Sequence, residues 1–155
     1  MTEKALAEGE QSEDFTLEDH NGNDFKLSDH KGKKVLLSFH PLAWTKVCAD
    51  QMKSLEANYD RFEDLNTVAV GVSVDSVPSK KAWAEELGIE NTPLLCDFWP
   101  HGKAIKQFGL FREEDGFSER ANILLDEDHK VIFSKVYPIK QVPDIEEILD
   151  VIDTK

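Results

Sequence analysis

Long apolar runs alternate with amphipathic segments along the first two thirds of the chain. Two continuous runs, VLLSF at 35–39 and TVAVGVSVD at 67–75, have the composition of buried strands, and TPLLCDF at 92–98 predicts a third. Apolar residues spaced by four and three form one face of a predicted helix: Cys48, Met52, Leu55, Tyr59 and Phe62. Strands that alternate with helices in this way favour a parallel sheet covered by helices.

Further elements precede and follow this alternation. Asn21-Gly22 lies between two short apolar segments of DFTLEDHNGNDFKLSD, which predicts an N-terminal hairpin. Val77-Pro78 begins a helix that Gly88 ends, and HGKAIKQFG predicts a short helix. ANILLDEDHKVIFSKVY predicts two strands joined by a polar turn, and PDIEEILDVID predicts a closing helix. One face of that last helix is apolar, with Ile145, Ile148, Leu149 and Ile152.

Together these elements predict a single α/β domain over residues 1–155, with a mixed central sheet flanked by helices and an N-terminal β-hairpin extension. The formal net charge of −13 disfavours binding to nucleic acid or to anionic membranes. The N-terminal MTEKALAEGEQSEDF lacks the basic and apolar regions of a signal peptide, so we expect a soluble cytoplasmic protein. The five histidines show no ligand spacing, and we expect neither a metal nor a cofactor.

Cys48 is placed where a thiol can become reactive. It falls in the first turn of the helix that follows VLLSF, where unpaired N–H groups and the helix dipole favour an anion. Such a position can lower a cysteine pKa from about 8.5 to between roughly 3.5 and 7.5. Thr45 lies one helical turn earlier, and Pro41 fixes the backbone after the strand. The spacing alone is equally compatible with an ordinary buried cysteine on the apolar face.

The stretch from Pro41 to Cys48, PLAWTKVC, resembles the PxxxTxxC active-site signature of the peroxiredoxins, the alkyl hydroperoxide reductase/thiol-specific antioxidant family. Gln51 stands where the family often has Glu or Gln. TPLLCDFWPHGKAIKQFGLF and SERANILLDEDHKV resemble two further family segments, and Arg120 matches the arginine of the second. His129 departs from the glycine that many members have in that hairpin turn. The resemblance covers nearly the whole chain and implies a thioredoxin-like fold.

The resemblance also implies a mechanism. The Cys48 thiolate would attack a hydroperoxide, either hydrogen peroxide or an organic one, and become a sulfenic acid. Thr45 and the backbone N–H groups near Val47 and Cys48 would bind the peroxide oxygens, while Arg120 would orient the peroxide and favour the thiolate. Pro41 would shield the thiolate from water. We interpret the neighbouring His40 as a polar cap at the end of the sheet, with a role as proton donor or substrate contact as the lesser alternative.

Cys96 is the only internal candidate for a resolving cysteine, because the chain has just two cysteines. It lies in TPLLCDF, where Leu94, Cys96 and Phe98 would share one face, and this is not a usual resolving position of the family. We therefore favour a one-cysteine enzyme of the one-cysteine or bacterioferritin-comigratory-like branches, recycled by a thioredoxin-like protein or a low-molecular-weight thiol. Resolution by Cys96 stays open.

Two other functions are compatible with these residues. A thiol–disulfide oxidoreductase on the same fold would need a second thiol near Cys48, and the sequence ADQ that follows offers none. A redox sensor would use oxidation of Cys48 for partner binding. The apolar residues near predicted loop ends either close the core or, as the family implies, form a homodimer contact: Leu42, Trp44, Phe98 and Trp99.

Overall fold

The computed structural model describes residues 5–154. Its nine strands, in chain order, are β1 (Thr16–Asp19), β2 (Asp24–Lys26), β3 (Lys34–Phe39), β4 (Thr67–Ser73), β5 (Leu94–Cys96), β6 (Phe111–Arg112), β7 (Phe117–Ser118), β8 (Arg120–Leu125) and β9 (Val131–Tyr137). Seven of them form one sheet in the order β2-β1-β5-β4-β3-β8-β9, and β6 pairs with β7.

The sheet is mixed, as the sequence predicts. Strands β3, β4 and β5 run parallel, whereas β1, β8 and the strands outside them are antiparallel to their neighbours. The Asn21-Gly22 hairpin joins β1 to β2, and β1 then pairs with β5. The carboxyl ends of the three parallel strands therefore meet at one edge, where ligands and catalytic groups gather in α/β proteins.

Five helices connect or cover the strands: α1 (Lys46–Ala57), α2 (Tyr59–Asp64), α3 (Val77–Leu87), α4 (Lys103–Gln107) and α5 (Ile145–Thr154). Apolar side chains on the two faces of the sheet form two clusters. One contains Leu37 and Phe39 of β3 with the N-terminal segment and α4, and the other contains Leu36 with α1, α3 and α5. Neighbouring residues of β3 thus alternate between the two cores, as the pleat requires.

Three details differ from the sequence predictions. The helix expected to continue to Phe62 is interrupted at Asn58, whose side-chain amide donates to Ser54 O at 2.8 Å and competes with the backbone pattern. Phe98 does not share the buried face of Cys96, because β5 ends at Cys96 and Phe98 is 53 % exposed. The ribbon of β6 and β7 was missed, since two-residue strands are too short to show a period.

Candidate active site

Cys48 is the third residue of α1 and lies just beyond the carboxyl end of β3, as predicted. Its side chain is fully buried. The first backbone hydrogen bond of the helix runs from Ala49 N–H to Thr45 O at 2.9 Å. The N–H groups of residues 46–48 therefore precede the intrahelical ladder, at the positive end of the helix dipole.

The loop from Pro41 to Thr45 is tied to β4. The Ala43 N–H donates to Asp75 Oδ2 at 2.8 Å, and Ser73 Oγ donates to the same oxygen at 2.6 Å. Pro41 is buried, whereas Trp44 is 55 % exposed and has a left-handed φ of 68°. A non-glycine residue rarely adopts this conformation, so the loop holds a strained backbone immediately before the helix.

Thr45 occupies the N-cap of α1 and is exposed. Its hydroxyl donates to Leu42 O at 2.9 Å, so in this structure it does not bond Cys48. Because that bond uses the hydroxyl hydrogen, the oxygen keeps its acceptor capacity for a donor arriving from outside. Leu42 is 37 % exposed, so an apolar side chain lies at the surface beside this hydroxyl.

Arg120, the first residue of β8, reaches Cys48 beneath the surface. Its Nη1 donates to Cys48 Sγ at 3.3 Å, and its Nε donates to Ile139 O at 2.8 Å. The side chain is 2 % exposed, although an arginine on a strand is more often a surface residue. The structure therefore brings together the two residues, 72 positions apart in the chain, on which the predicted mechanism depends most.

Gln51 fixes the guanidinium in place. Its Oε1 accepts from Arg120 Nη1 at 2.7 Å, while its Nε2 donates to Ser38 Oγ at 2.7 Å and to Phe39 O at 3.1 Å. Ser38 Oγ donates in turn to Asn122 Oδ1 at 2.8 Å. A continuous buried network thus joins α1, β3 and β8 around the thiol, and satisfied buried polar networks of this kind hold one geometry.

The charge of Arg120 has no anionic partner in the described part of the chain. Within residues 5–154, its guanidinium contacts a thiol, an amide oxygen and a carbonyl, and it forms no salt bridge with a carboxylate. A buried cation without a counter-charge favours the ionised form of a neighbouring acid. An anion formed at the sulfur would therefore have Arg120 as its counter-charge.

His40 follows the last residue of β3, at the sheet end where the sequence predicted a polar cap. It is fully buried, and its Nε2 lies 2.6 Å from Nζ of Lys80, a side chain that is also fully buried. Burial, with the nearby positive charge of Lys80, holds the pKa of His40 well below its usual range. His40 is thus neutral at physiological pH.

Cys96 lies away from this centre. It pairs with Ser73 of β4, so it is two strands from β3, and neighbouring strands are about 4.8 Å apart. Both cysteines are free and buried, and burial raises the pKa of Cys96 to about 12. A thiol with so high a pKa is a poor nucleophile at neutral pH. Its resolving role stays a prediction.

Within residues 5–154, no group of three or more His, Cys, Asp or Glu side chains is arranged to hold a metal ion. Over the same residues, no helix has the length and apolar character needed to cross a membrane.

Comparison with known proteins agrees with this geometry. The model of the AhpC/TSA family matches residues 9–134. Alkyl hydroperoxide reductase E of Mycobacterium tuberculosis is 35 % identical over 137 residues, which cover 88 % of this chain and 89 % of that protein. The chain belongs to the AhpC/TSA family of peroxiredoxins. It is a thiol-dependent peroxidase, and the buried Cys48 fits the peroxidatic cysteine.

Solved structures of peroxiredoxins share its fold. The reduced 2-Cys peroxiredoxin of Plasmodium vivax superposes with a TM-score of 0.85 at 28 % identity, covering 97 % of this chain and 81 % of that one. The peroxidoxin BcpB of M. tuberculosis superposes with a TM-score of 0.84 at 24 % identity, covering 96 % and 97 %. The predicted thioredoxin-like fold is therefore confirmed. The assignment to a one-cysteine or bacterioferritin-comigratory-like branch stays a prediction.

Sequence reasoning missed several residues of this peroxiredoxin site. Ser38 and Asn122 looked like ordinary strand residues, and their contacts depend on the pairing of β3 with β8. Lys80 carried a detectable signal, because it lies on the same helical stripe as Trp83, Ala84 and Leu87, at a position where an apolar residue is expected.

Proposed function

We propose that the protein reduces hydrogen peroxide and organic hydroperoxides through Cys48. The thiolate sulfur attacks the terminal peroxide oxygen, an S–O bond forms and the O–O bond breaks. The bonding pair leaves with the second oxygen, which takes up a proton and departs as water or an alcohol. Cys48 is left as a sulfenic acid. A hydroperoxide as substrate and a thiol as reductant are properties of the family.

The contact between Arg120 Nη1 and Cys48 Sγ, at 3.3 Å, carries this proposal. Negative charge moves from sulfur to the leaving oxygen during the reaction. A buried guanidinium fixed in advance by Gln51 and by Ile139 O stabilises charge along that path without reorganisation. Arginine suits this role because it stays protonated and offers several donors from one plane.

The other proposed site residues surround the sulfur. The N–H groups of Val47 and Cys48, in the first turn of α1, are the donors proposed for the peroxide oxygens, together with Thr45 Oγ1. The acceptor capacity of that hydroxyl suits the O–H of the attacked oxygen. Buried Pro41 has no N–H and excludes water from this side of the thiol.

We further propose recycling by an external thiol, from a thioredoxin-like protein or a small molecule. One thiol attacks the sulfenic sulfur of Cys48 and releases water, and a second thiol resolves the mixed disulfide. The burial of Cys96, its high pKa and its distance in the sheet support an outside reductant. Two free thiols also suit a reducing compartment, and a cytoplasmic location is part of this proposal.

The first experiment is an intact mass of the reduced protein after one equivalent of hydrogen peroxide, with remaining thiols alkylated. We expect one added oxygen on Cys48 and an alkylated Cys96. The matched control is Cys96→Ser, which should consume peroxide like the wild type when a dithiol is supplied, whereas Cys48→Ser should not. Loss of two hydrogens with both cysteines protected would establish Cys96 as the resolving residue. Persistence of peroxide with both thiols unmodified would contradict the peroxidase function.

The two alternative functions are distinguished in different ways: the residue at position 51 argues against the oxidoreductase, and the peroxide-consumption assay tests the redox sensor. A thiol–disulfide oxidoreductase of the CxxC type would need a cysteine where Gln51 stands, and that amide is buried and bonded to Arg120. A redox sensor would give one oxidation event with slow recycling, whereas the proposed enzyme consumes peroxide steadily as long as the reductant lasts.

We also propose that the protein forms a homodimer through the loops beside the site. Four large apolar side chains there are exposed by 37 to 82 %: Leu42, Trp44, Phe98 and Trp99. Exposed aromatic residues grouped near one edge of a molecule are typical of protein interfaces.

A further inference from the structure

Lys80 is a fully buried lysine that the peroxidase mechanism above does not use. It lies on the inner face of α3, and its Nζ sits 5.2 Å from the centre of the Trp83 ring. Within residues 5–154, no carboxylate lies close enough to Lys80 to form a salt bridge. Lysine is almost never fully buried without such a partner, so its position calls for a reason.

The hydrogen bond with His40 fixes the protonation of the pair. Nζ of Lys80 donates to His40 Nε2 at 2.6 Å, so this nitrogen is the acceptor and the ring proton is on Nδ1, which faces Ser38 O at 3.4 Å. Burial lowers the pKa of Lys80 to about 8, which leaves the ammonium charged at neutral pH. The pair therefore carries one positive charge inside the protein.

Titratable groups surround this charge from several elements. Asp75, after β4, is the main negative charge acting on Lys80, although its Oδ2 accepts from Ser73 and Ala43 and forms no salt bridge with the ammonium. The other groups that interact electrostatically with Lys80 or with its partner are His20 after β1, His40 after β3, Cys48 of α1, Cys96 of β5 and Arg120 of β8. Cys48 is the one among them in which the proposed function requires a negative charge.

We propose that Lys80 is a positioning residue for the peroxidase reaction: together with His40, its ammonium is a second buried cation that stabilises the Cys48 thiolate. This inference rests on the proposed role of Cys48. Arg120 approaches from β8, on one side of β3, whereas Lys80 approaches from the helix after β4, on the other side. On this proposal the thiolate lies between two cations, of which only Arg120 donates directly to sulfur.

Lys80 acts on the sulfur by electrostatics and not by a direct hydrogen bond, because its ammonium bonds His40. One of the three ammonium N–H groups of Lys80 donates to His40, which precedes Pro41 in the turn that leads to Cys48. A charge buried in a low-dielectric interior changes the ionisation of a neighbouring thiol more than a screened surface charge does. By linkage, ionisation of the thiol must then raise the proton affinity of Lys80 equally.

The test compares Lys80→Met with Lys81→Met, each in a Cys96→Ser background. Both variants remove one charge from α3, but Lys81 is exposed. The pH dependence of Cys48 alkylation reports the thiolate fraction. We expect Lys80→Met to move the midpoint upward by about one pH unit and to slow alkylation at neutral pH several-fold. Lys81→Met should follow the parent protein. Equal midpoints for the two variants would overturn the proposal.

A second measurement keeps Lys80 in place, which matters if Lys80→Met does not fold. The Cε resonance of Lys80 is titrated by NMR in the wild type and in Cys48→Ser. The proposal requires a lower Lys80 midpoint in Cys48→Ser, and identical midpoints would refute it. Neither measurement needs turnover, so a failure of the peroxidase function would appear separately, as wild-type protein that does not consume peroxide.

Discussion

Gln51 contacts each of the three groups that shape the pocket around Cys48. Its amide binds Arg120 on one side and Ser38 and Phe39 O on the other, all within a buried space. The reactivity expected of Cys48 therefore depends on Arg120, whose position depends in turn on Gln51. The sulfur, the guanidinium and the amide act as one unit. Removing any one of these side chains leaves a buried donor or acceptor without its hydrogen-bond partner.

Gln51→Leu should slow the reaction of Cys48 with hydrogen peroxide by roughly 10- to 100-fold, because a loosened Arg120 no longer faces the sulfur in one orientation. Stopped-flow measurement of the second-order rate constant checks this. Lys53→Ala is the matched control, since Lys53 is exposed on the same helix. A Gln51→Leu rate constant within twofold of the Lys53→Ala value would contradict the positioning role of the amide.

At the scale of elements, Gly71 determines how closely α1 and the active-site turn pack on the sheet. It lies between Ser38 of β3 and Leu94 of β5 in the strand register. A Cβ there would lie 2.3 Å from Met52 Sδ and 3.3 Å from His40 Cε1. Because glycine has no side chain, position 71 leaves space for Met52 of α1 and for His40, which bonds Lys80.

Gly71→Ala should reduce the free energy of unfolding by about 1–3 kcal/mol, because Met52 has to move out of a packed core. Urea denaturation monitored by circular dichroism measures the change. In a double-mutant cycle with Met52→Ala, the alanine at 71 should cost less, since the clashing sulfur is gone. Strict additivity of the two substitutions would show that the two sites are independent.

At the scale of the whole molecule, an acidic protein keeps two cations in its interior. The formal net charge is −13, yet Arg120 and Lys80 are both buried, and neither forms a salt bridge within residues 5–154. Burial of a charge without a salt-bridge partner reduces stability. Burial of Arg120 and Lys80 thus lowers the free energy of unfolding, a cost that is expected where function requires charged groups in the interior.

The stability of the protein should rise with pH between about 8 and 10.5 because of Lys80. Burial lowers the pKa of Lys80 from 10.5 to about 8, so over this range the unfolded chain holds a proton that the folded protein has released. Below pH 8 both states are protonated and the cost of burial is constant. The full interval corresponds to about 3 kcal/mol in the free energy of unfolding.

Urea denaturation of the wild type and of Lys80→Met at pH 7 and pH 9.5 measures this effect. We expect the stability of the wild type relative to Lys80→Met to grow by about 2 kcal/mol between the two pH values. A constant difference would mean that Lys80 does not lose its proton in the folded state over this range.

Self-association is the other whole-molecule prediction. Trp99, with 82 % of its surface exposed, is the most exposed of the four apolar residues near the site. Trp99→Ser should shift the sedimentation coefficient from that of a dimer to that of a monomer at micromolar concentration, because it removes an aromatic anchor of the contact. Val136→Ser, an exposed apolar position on β9, is the control. A monomeric wild type would exclude the dimer.

Local sequence patterns predicted most of the elements and the reactive position. Continuous apolar runs predicted β3 and β4, because both faces of these strands are buried, and apolar periodicity predicted α1, because one face of it is buried. The strand-to-helix turn identified Cys48, and the resemblance of the PLAWTKVC motif supplied the family. These features are local, so a single stretch of chain contains all the information they require.

The surroundings of the sulfur, in contrast, depend on how distant segments pack together. Strand order brought Arg120 from β8 to Cys48, and the register of β3 with β8 joined Ser38 to Asn122. The packing of α3 over the parallel strands buried Lys80 against His40. Such contacts join residues 40 to 84 positions apart, and their energies depend on burial and distance, which no local pattern encodes.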